Sequence, residues 1–285
     1  MAGKRNVISF MNMKGGVGKT TICVNIAGEL AQNGTKVLVI DNDPQMNASQ
    51  YLLNANIIER LVSEKKTIYS LYKDNVDDNL LNMNGEEIDD RIEDEKKIIV
   101  NVRDNLDIVC GDLNMTKVNG SDVNVVDELA LFINNNELRE VYDFIFIDCP
   151  PTQSIYTNSA FKASNFYLLV IKPDFLSTVG LSLFKNMINS YNKKRFNNEK
   201  LNSLGIVINL SQKGNPYHSD KISFIEEKFK FNKVFKTCIN NISNIAKASE
   251  NQKLMYETKG CKRAIKNLTK EFIDEYNKRV NNNDR

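Results

Sequence analysis

Short runs of β-branched and aromatic residues alternate along this chain with helical patterns, and this alternation restricts the fold more than any other feature. Three of the runs are continuously apolar, over Phe144–Ile147, Tyr167–Ile171 and Gly205–Ile208. Strands that helices cover on both faces have this unbroken apolar character. Strands that alternate with helices form βαβ units and a parallel sheet. The sequence therefore predicts an α/β fold with a doubly wound, mainly parallel sheet flanked by helices.

Residue types and spacing place these elements along the chain. Strands are predicted over seven segments: Val7–Met11, Lys36–Asp41, Leu106–Cys110, Phe144–Asp148, Phe166–Ile171, Leu204–Asn209 and Val234–Cys238. Helices are predicted over six segments: Lys19–Gln32, Val123–Asn135, Ile155–Ala163, Thr178–Asn192, Lys221–Phe229 and Cys261–Val280. Residues 73–97 hold ten acidic and four basic residues, which favours a charged surface insertion, helical over Glu86–Lys97, and a solvated excursion over a functional one.

Composition limits the classes of protein to consider. Apolar residues make up 41% of the 285 residues and charged residues 26%, as in an ordinary soluble globular protein. No run of about 18 apolar residues is present, so no membrane-spanning helix is predicted. The five cysteines are isolated, which indicates reduced thiols in the cytoplasm rather than disulfides or a zinc site. The single histidine, His218, excludes chemistry that needs several imidazoles.

The connection between the first predicted strand and the first predicted helix carries a glycine-rich phosphate loop. Backbone amides of such a loop point at phosphates, and the helix adds the positive end of its dipole. Lys19 is expected to reach the β- and γ-phosphates, and the Thr20 hydroxyl to ligate magnesium. Met13 stands where the usual pattern has a glycine. The expected nucleotide-binding residues here are Lys14, Gly15, Gly16, Val17, Gly18, Lys19, Thr20 and Thr21.

Two predicted strands end in carboxylates. Asp41 and Asp43 follow the second strand, and their spacing of two places them on one side if the strand geometry continues. Asp148 ends the apolar run Phe144–Ile147, as in a Walker B strand. Ligands of open α/β sheets bind at the carboxyl ends of the strands. We therefore expect Asp148 to hold magnesium through a water, because magnesium keeps part of its hydration shell.

The arrangement Lys14-Gly-Gly-x-Gly-Lys19-Thr resembles the deviant P-loop of the ParA/MinD class of ATPases. The resemblance extends from Val7 to about Phe272 and is strongest to the small type of ParA partition ATPase. It implies a single ParA-like P-loop ATPase domain over residues 1–285, with ATP and Mg²⁺ as cofactors. In that class the first lysine reaches the nucleotide of a partner subunit, so that ATP closes a sandwich dimer.

The resemblance also implies roles for individual residues. Asp43 lies in a stretch similar to Asp-x-Asp-Pro-Gln, whose second aspartate orients the attacking water, while Asp41 is left as a structural or metal-shell carboxylate. Asn209 ends a strand where the family often reads the adenine edge. The expected catalytic residues are then Lys14, Lys19 and Asp43. The expected metal residues are Thr20, Asp43 and Asp148.

The charge distribution bears on the partner. Residues 185–285 hold 21 Lys and Arg against 10 Asp and Glu, whereas the other residues hold 17 against 26. A basic region of this kind attracts polyanions, although solvated helix faces are an equally good reading. The candidate DNA-binding residues are Lys193, Lys194, Arg195, Lys213, Lys221, Lys247, Lys253, Lys262 and Arg263.

Together these features are typical of a DNA-partition ATPase. The resemblance implies an ATP-dependent homodimer that binds DNA non-specifically, a nucleoid-associated location, and release by hydrolysis that a ParB-type centromere-binding partner stimulates. The alternative is a MinD-like or cargo-positioning ATPase that recruits a protein without a DNA role. The last predicted helix places Ile265, Leu268, Phe272 and Tyr276 at helical spacing, and its heavy charge favours docking on the core over anchoring in a membrane.

Overall fold

The computed structural model describes residues 4–77, 95–118, 125–195, 200–212, 214–229, 233–240 and 243–283. Within these ranges, the strands are β1 (Val7–Met11), β2 (Val37–Asp41), β3 (Ile99–Arg103), β4 (Leu106–Val109), β5 (Phe144–Asp148), β6 (Phe166–Ile171), β7 (Asn202–Ser211) and β8 (Ile239–Asn240). The helices are α1 (Lys19–Gln32), α2 (Asn47–Leu52), α3 (Ala55–Ser63), α4 (Tyr69–Asp77), α5 (Val125–Asn135), α6 (Leu138–Val141), α7 (Ile155–Ala163), α8 (Phe175–Lys193), α9 (Pro216–Lys228), α10 (Ser243–Ser249) and α11 (Lys262–Asn283).

The strands form one sheet in the order β3-β4-β2-β5-β1-β6-β7-β8. Every pairing is parallel except that of β3 with β4. Because β5 lies between β1 and β2, the carboxyl ends of these three strands meet at one edge of the sheet. The predicted doubly wound, mainly parallel sheet is confirmed.

The core occupies both faces of the sheet, because successive residues of a strand point to opposite sides. Ile8 and Phe10 of β1 pack with α1, α2 and α11 on one face. Val7 and Met11 of the same strand pack with α4, α5, α7, α8 and α9 on the other. This double coverage explains why the central strands read as unbroken apolar runs in the sequence.

Helix α11 is part of this core. Ile265, Leu268 and Phe272 are fully buried, and the Phe272 ring lies 5.6 Å from that of Phe144 and 5.5 Å from that of Phe146. The predicted docking of this helix on the core is confirmed. Within the described ranges, no helix is long and apolar enough to cross a membrane.

One predicted strand was wrong, one strand was missed, and α9 begins at Pro216 rather than at the predicted Lys221. The segment Val234–Cys238 was expected as a strand, but Val234 forms only an isolated bridge to Ile206, and β8 begins directly after this segment, at Ile239. The pairing between β7 and β8 shifts register next to Leu210, whose φ of 54° bends the strand. The antiparallel strand β3 was not predicted, since it follows the charged segment directly.

The acidic segment is described only at its ends. Residues 73–77 belong to α4, and residues 95–98 form a short 3₁₀ turn before β3. The predicted helix over Glu86–Lys97 falls mostly outside the described residues, as does the centre of the proposed insertion.

We expect that replacing Phe272 by alanine destabilises the folded protein by about 3–5 kcal/mol, because the ring fills the space between α11 and β5. Urea unfolding followed by circular dichroism measures this change. Lys270→Ala, at an exposed position of the same helix, is the control, and its effect should stay below about 0.5 kcal/mol. Equal effects of the two variants would contradict the packing of α11 in the core.

Candidate nucleotide-binding site

Residues 12–18 form the loop between β1 and α1, and two of its glycines have conformations that favour glycine. Gly16 has a φ of 71° and Gly18 a φ of 80°, in the left-handed region that side chains disfavour. A Cβ atom at Gly18 would also lie 2.2 Å from Nδ2 of Asn209. The positive φ values let the chain turn sharply before α1 begins at Lys19, so the amides at the start of α1 face outward from the sheet edge.

Side chains from both ends of the loop hold it in place. Asn12 donates from Nδ2 to the Val170 carbonyl of β6 at 2.6 Å, and its Oδ1 accepts from the Lys14 amide at 2.9 Å. Asn209 of β7 donates from Nδ2 to the Val17 carbonyl at 2.8 Å. The other amide atom of Asn209, Oδ1, is buried without a hydrogen-bond partner. Asn209 therefore braces the phosphate loop in this structure, and its expected contact with adenine stays a prediction.

Lys19 lies at the first position of α1 and is only 7% exposed. Burial raises the pKa of the nearby Asp148 carboxyl, and the charge of Lys19 partly opposes this rise. A lysine held at the positive end of a helix is arranged to bind an anion. This is the position that the sequence predicted for the phosphate-binding lysine.

The carboxylates of β2 and β5 lie beneath the loop. Asp41 and Asp148 are register partners on adjacent strands, and both are fully buried. Asp41 Oδ2 accepts from both the amide and the hydroxyl of Ser49 at 2.7 Å, so this carboxylate anchors the start of α2. The sequence left the role of Asp41 open between a structural and a metal-shell carboxylate. The hydrogen bonds with Ser49 give it a structural role.

Asp148 has a different environment. Its Oδ2 accepts from the Thr20 hydroxyl at 2.6 Å, whereas its Oδ1 is buried and has no hydrogen-bond partner. Burial raises the pKa of Asp148, and the charge of Asp41 raises it further, while the Thr20 hydrogen bond and Lys19 act in the opposite direction. An unpartnered buried carboxylate oxygen beside a threonine hydroxyl is an arrangement that a divalent cation would satisfy.

The residues present fit magnesium bound together with a nucleotide. Thr20 and Asp148 supply one hydroxyl and one carboxylate, and no group of three His, Cys, Asp or Glu within the described residues could hold a metal alone. Magnesium typically takes one or two protein ligands and completes its shell with water and phosphate oxygens. Asp43 lies nearby, nearly buried, with its Oδ1 accepting from the Gln45 amide at 2.9 Å.

A cavity of about 540 Å³ opens above these groups. This volume is within the range of small-molecule sites, which is roughly 300–1,000 Å³. The predicted residues Gly15, Gly16, Gly18, Lys19, Thr20, Thr21 and Asp43 all line it. Sequence reasoning missed seven other lining residues: Gln45, Asn47, Gln50, Tyr51, Pro151, Ser249 and Glu250.

Lys14 is not among the residues that line this cavity. Its Nζ lies 2.7 Å from Oδ2 of Asp174, in the connection between β6 and α8, and the side chains are 35% and 21% exposed. The second lysine of the loop is therefore held outside this cavity by an ion pair within its own subunit.

The candidate DNA-binding residues do not all lie together. Lys193, Lys194 and Arg195 lie at the end of α8, near the amino ends of the strands. Lys247 lies in α10, whose last residue, Ser249, lines the nucleotide cavity at the opposite edge of the sheet. Lys253 follows α10, Lys221 lies in α9, and Lys262 and Arg263 begin α11. Lys213 is outside the described residues.

Comparison with known proteins agrees with this arrangement. A family model described as an AAA domain matches residues 5–203. The sporulation initiation inhibitor protein Soj of Bacillus subtilis is 28% identical over 237 residues, which cover 82% of this chain and 83% of Soj. The virulence plasmid ParA family protein pGP5-D of Chlamydia psittaci is 27% identical over 272 residues, which cover 93% of each chain. A plasmid partition protein of Borrelia burgdorferi, solved with bound AMPPNP, has a TM-score of 0.72 at 23% identity and covers 97% of this chain and 100% of that one.

We expect Gly18→Ala to destabilise the nucleotide-free protein by about 1–2 kcal/mol, because alanine resists the left-handed conformation and its Cβ would meet Asn209. Gly15→Ala is the matched control, since Gly15 has no positive φ and open space around it. Its free energy of unfolding should be unchanged or raised by up to about 1 kcal/mol. Urea unfolding of the two variants without nucleotide measures the difference, and a Gly18→Ala protein as stable as the control would contradict the loop geometry.

Proposed function

The chain belongs to the ParA family of partition ATPases, and from this premise we propose that it is a Mg²⁺-dependent ATPase whose ATP-bound homodimer binds DNA without sequence preference. Hydrolysis, stimulated by a ParB-type centromere-binding partner, would release the DNA. A nucleoid-associated location in the cytoplasm and a single ATPase domain over residues 1–285 belong to the same proposal. The observation that carries it is that Lys14 lies outside the nucleotide cavity of its own subunit and pairs with Asp174 there.

Most parts of phosphoryl transfer would come from the residues of a single subunit. The loop amides and Lys19 would hold the β- and γ-phosphates, while Thr20 and Asp148 would hold magnesium, which neutralises developing phosphate charge. Asp43 lines the cavity on the same side and would orient the attacking water, as well as completing the metal environment. Asn209 would keep the loop in register with β7 and contact the adenine edge.

Lys14 would complete the site of a second subunit. Its ammonium is not used inside its own cavity, and the ion pair with Asp174 is partly exposed, so the contact can be exchanged. A cation supplied across an interface stabilises transition-state charge as an arginine finger does, which is worth about three to five orders of magnitude in rate. Nucleotide hydrolysis and dimerisation are then coupled through one side chain.

We expect Lys14→Ala to remain monomeric with ATP and Mg²⁺, and to lose about three orders of magnitude in turnover, while ATP binding is largely retained. Light scattering and phosphate release measure the two effects. Asp174→Asn is the matched variant, because it breaks the same ion pair but leaves the lysine, and it should still dimerise. Lys19→Ala should lose nucleotide binding itself. Normal ATP-dependent dimerisation of Lys14→Ala would refute the role in trans.

The proposed DNA step rests on the basic character of residues 185–285. Phosphate contacts by lysine and arginine give non-specific binding that weakens as salt is added. The runner-up function is an ATPase that positions a protein cargo without DNA, with the same nucleotide site. The two functions differ in the ligand that the ATP-bound form binds, which is DNA for partition and a protein for cargo positioning.

We expect the ATP-bound protein to retain duplex DNA on a filter much more strongly than the ADP-bound protein, with affinity that falls steeply with salt. Asp43→Ala should bind ATP with little turnover, and so should hold DNA longer than the wild type. Charge reversal at Lys247 and Lys253 together should lower the salt slope by about two units. If no DNA is retained with ATP at any salt concentration, the cargo-positioning function is favoured instead.

A further inference from the structure

A second concave surface lies at the opposite edge of the sheet from the phosphate loop, beside the residues that precede β1, β6 and β7. It encloses about 520 Å³. We call it the basic basin and define it by the six cationic side chains among its lining residues: Arg5, Arg139, Lys162, Lys194, Arg195 and Lys200. Its other lining residues are neutral, so the basin is strongly positive.

Three of the six cations have structural contacts that account for them. Arg139 donates to the Ala163 carbonyl at 2.9 Å and to Oδ1 of Asn165 at 2.6 Å. Arg195 donates to the Lys162 carbonyl at 2.8 Å, so both arginines satisfy free carbonyls at the end of α7. Lys162 forms an ion pair with Asp127. These contacts explain the positions of these three side chains without any ligand.

The other three cations have no such explanation. The side chains of Arg5, Lys194 and Lys200 form no hydrogen bond or ion pair with any described residue. The Arg5 guanidinium lies 5.1 Å from the centre of the Phe166 ring, which orients it but leaves its donors unused. Within the described chain, Asp127 is the one carboxylate that pairs with a basin cation. Gathering like charges in a concavity is unfavourable unless an anion compensates them.

We propose that the basic basin binds phosphate groups, as an anion site separate from the phosphate loop. Guanidinium and ammonium groups that line one concavity match the charge and the several oxygens of a phosphate. Two sources carry this chemistry: the phosphodiester backbone of nucleic acid and a small free phosphate compound. The backbone source rests on the proposed function, since Lys194 and Arg195 are also DNA-binding candidates, whereas the small-phosphate source does not.

The test uses the double variant Lys194→Ala/Lys200→Ala, because both side chains are exposed and neither has a structural contact to lose. Lys97→Ala/Lys117→Ala removes the same charge from exposed positions outside the basin and is the matched control. Both proteins and the wild type are saturated with ADP and Mg²⁺, which fills the phosphate loop and keeps the protein out of its ATP-bound form. Pyrophosphate is titrated by calorimetry, and a random duplex of about 20 base pairs by fluorescence anisotropy at several salt concentrations.

The wild type should bind at least one probe, and the basin variant should bind it about tenfold more weakly, with the control unchanged. Pyrophosphate binding alone identifies a small-phosphate site. Duplex binding identifies the backbone source, and the salt slope should then fall by about two units in the basin variant. No binding of either probe by the wild type, or equal losses in the basin and control variants, would overturn the proposal. ATP-dependent dimerisation, which tests the proposed function, is measured separately and can succeed when the basin test fails.

Discussion

The site depends on two carboxylates that are buried side by side where adjacent parallel strands end. Asp41 and Asp148 are register partners, and burial raises the pKa of both. Asp41 accepts hydrogen bonds at both oxygens, from Ser49 at Oδ2 and from the Asp43 amide at Oδ1, whereas Asp148 accepts only at Oδ2, from Thr20. The unpartnered Oδ1 of Asp148 lies close to the phosphate loop, since the other oxygen of the same carboxyl accepts from Thr20 at the start of α1. The fold thus joins an anion-binding loop to an incompletely neutralised carboxylate, and a metal–phosphate ligand can satisfy both at once.

Much of this arrangement could be predicted from local sequence, because the signals are local. The bounds of β1, β5, β6, α1 and α7 agree with the apolar runs and helical spacing. The glycines, Lys19 and the strand-end aspartates were also found, since loop conformation and strand ends constrain residue type over a few positions. The short helices α2, α3 and α10 were missed because segments of under ten residues have little stability of their own and depend on tertiary packing.

Other parts of the site could not be found this way. Ser249 and Glu250 reach the nucleotide cavity from a distant part of the chain, and no local pattern marks them. The brace from Asn209 to Val17 spans 192 positions and depends on how β7 lies relative to the loop. The residue counts showed that the last third of the chain is basic. Only the fold shows which of these cations lie near the nucleotide cavity and which lie in the basic basin at the opposite edge of the sheet. The two groups can therefore serve different anions.

The ion pair between Lys14 and Asp174 has a consequence for reversibility in the proposed dimer. A subunit that lends its lysine must first give up a contact of its own, so assembly exchanges one charge pairing for another. The net electrostatic gain is then smaller than the new contact alone would provide. Once the γ-phosphate is lost, Asp174 offers the lysine a partner within its own subunit. Asp174 thus stabilises Lys14 in the dissociated subunit, which favours dissociation of the dimer after hydrolysis over a permanent dimer.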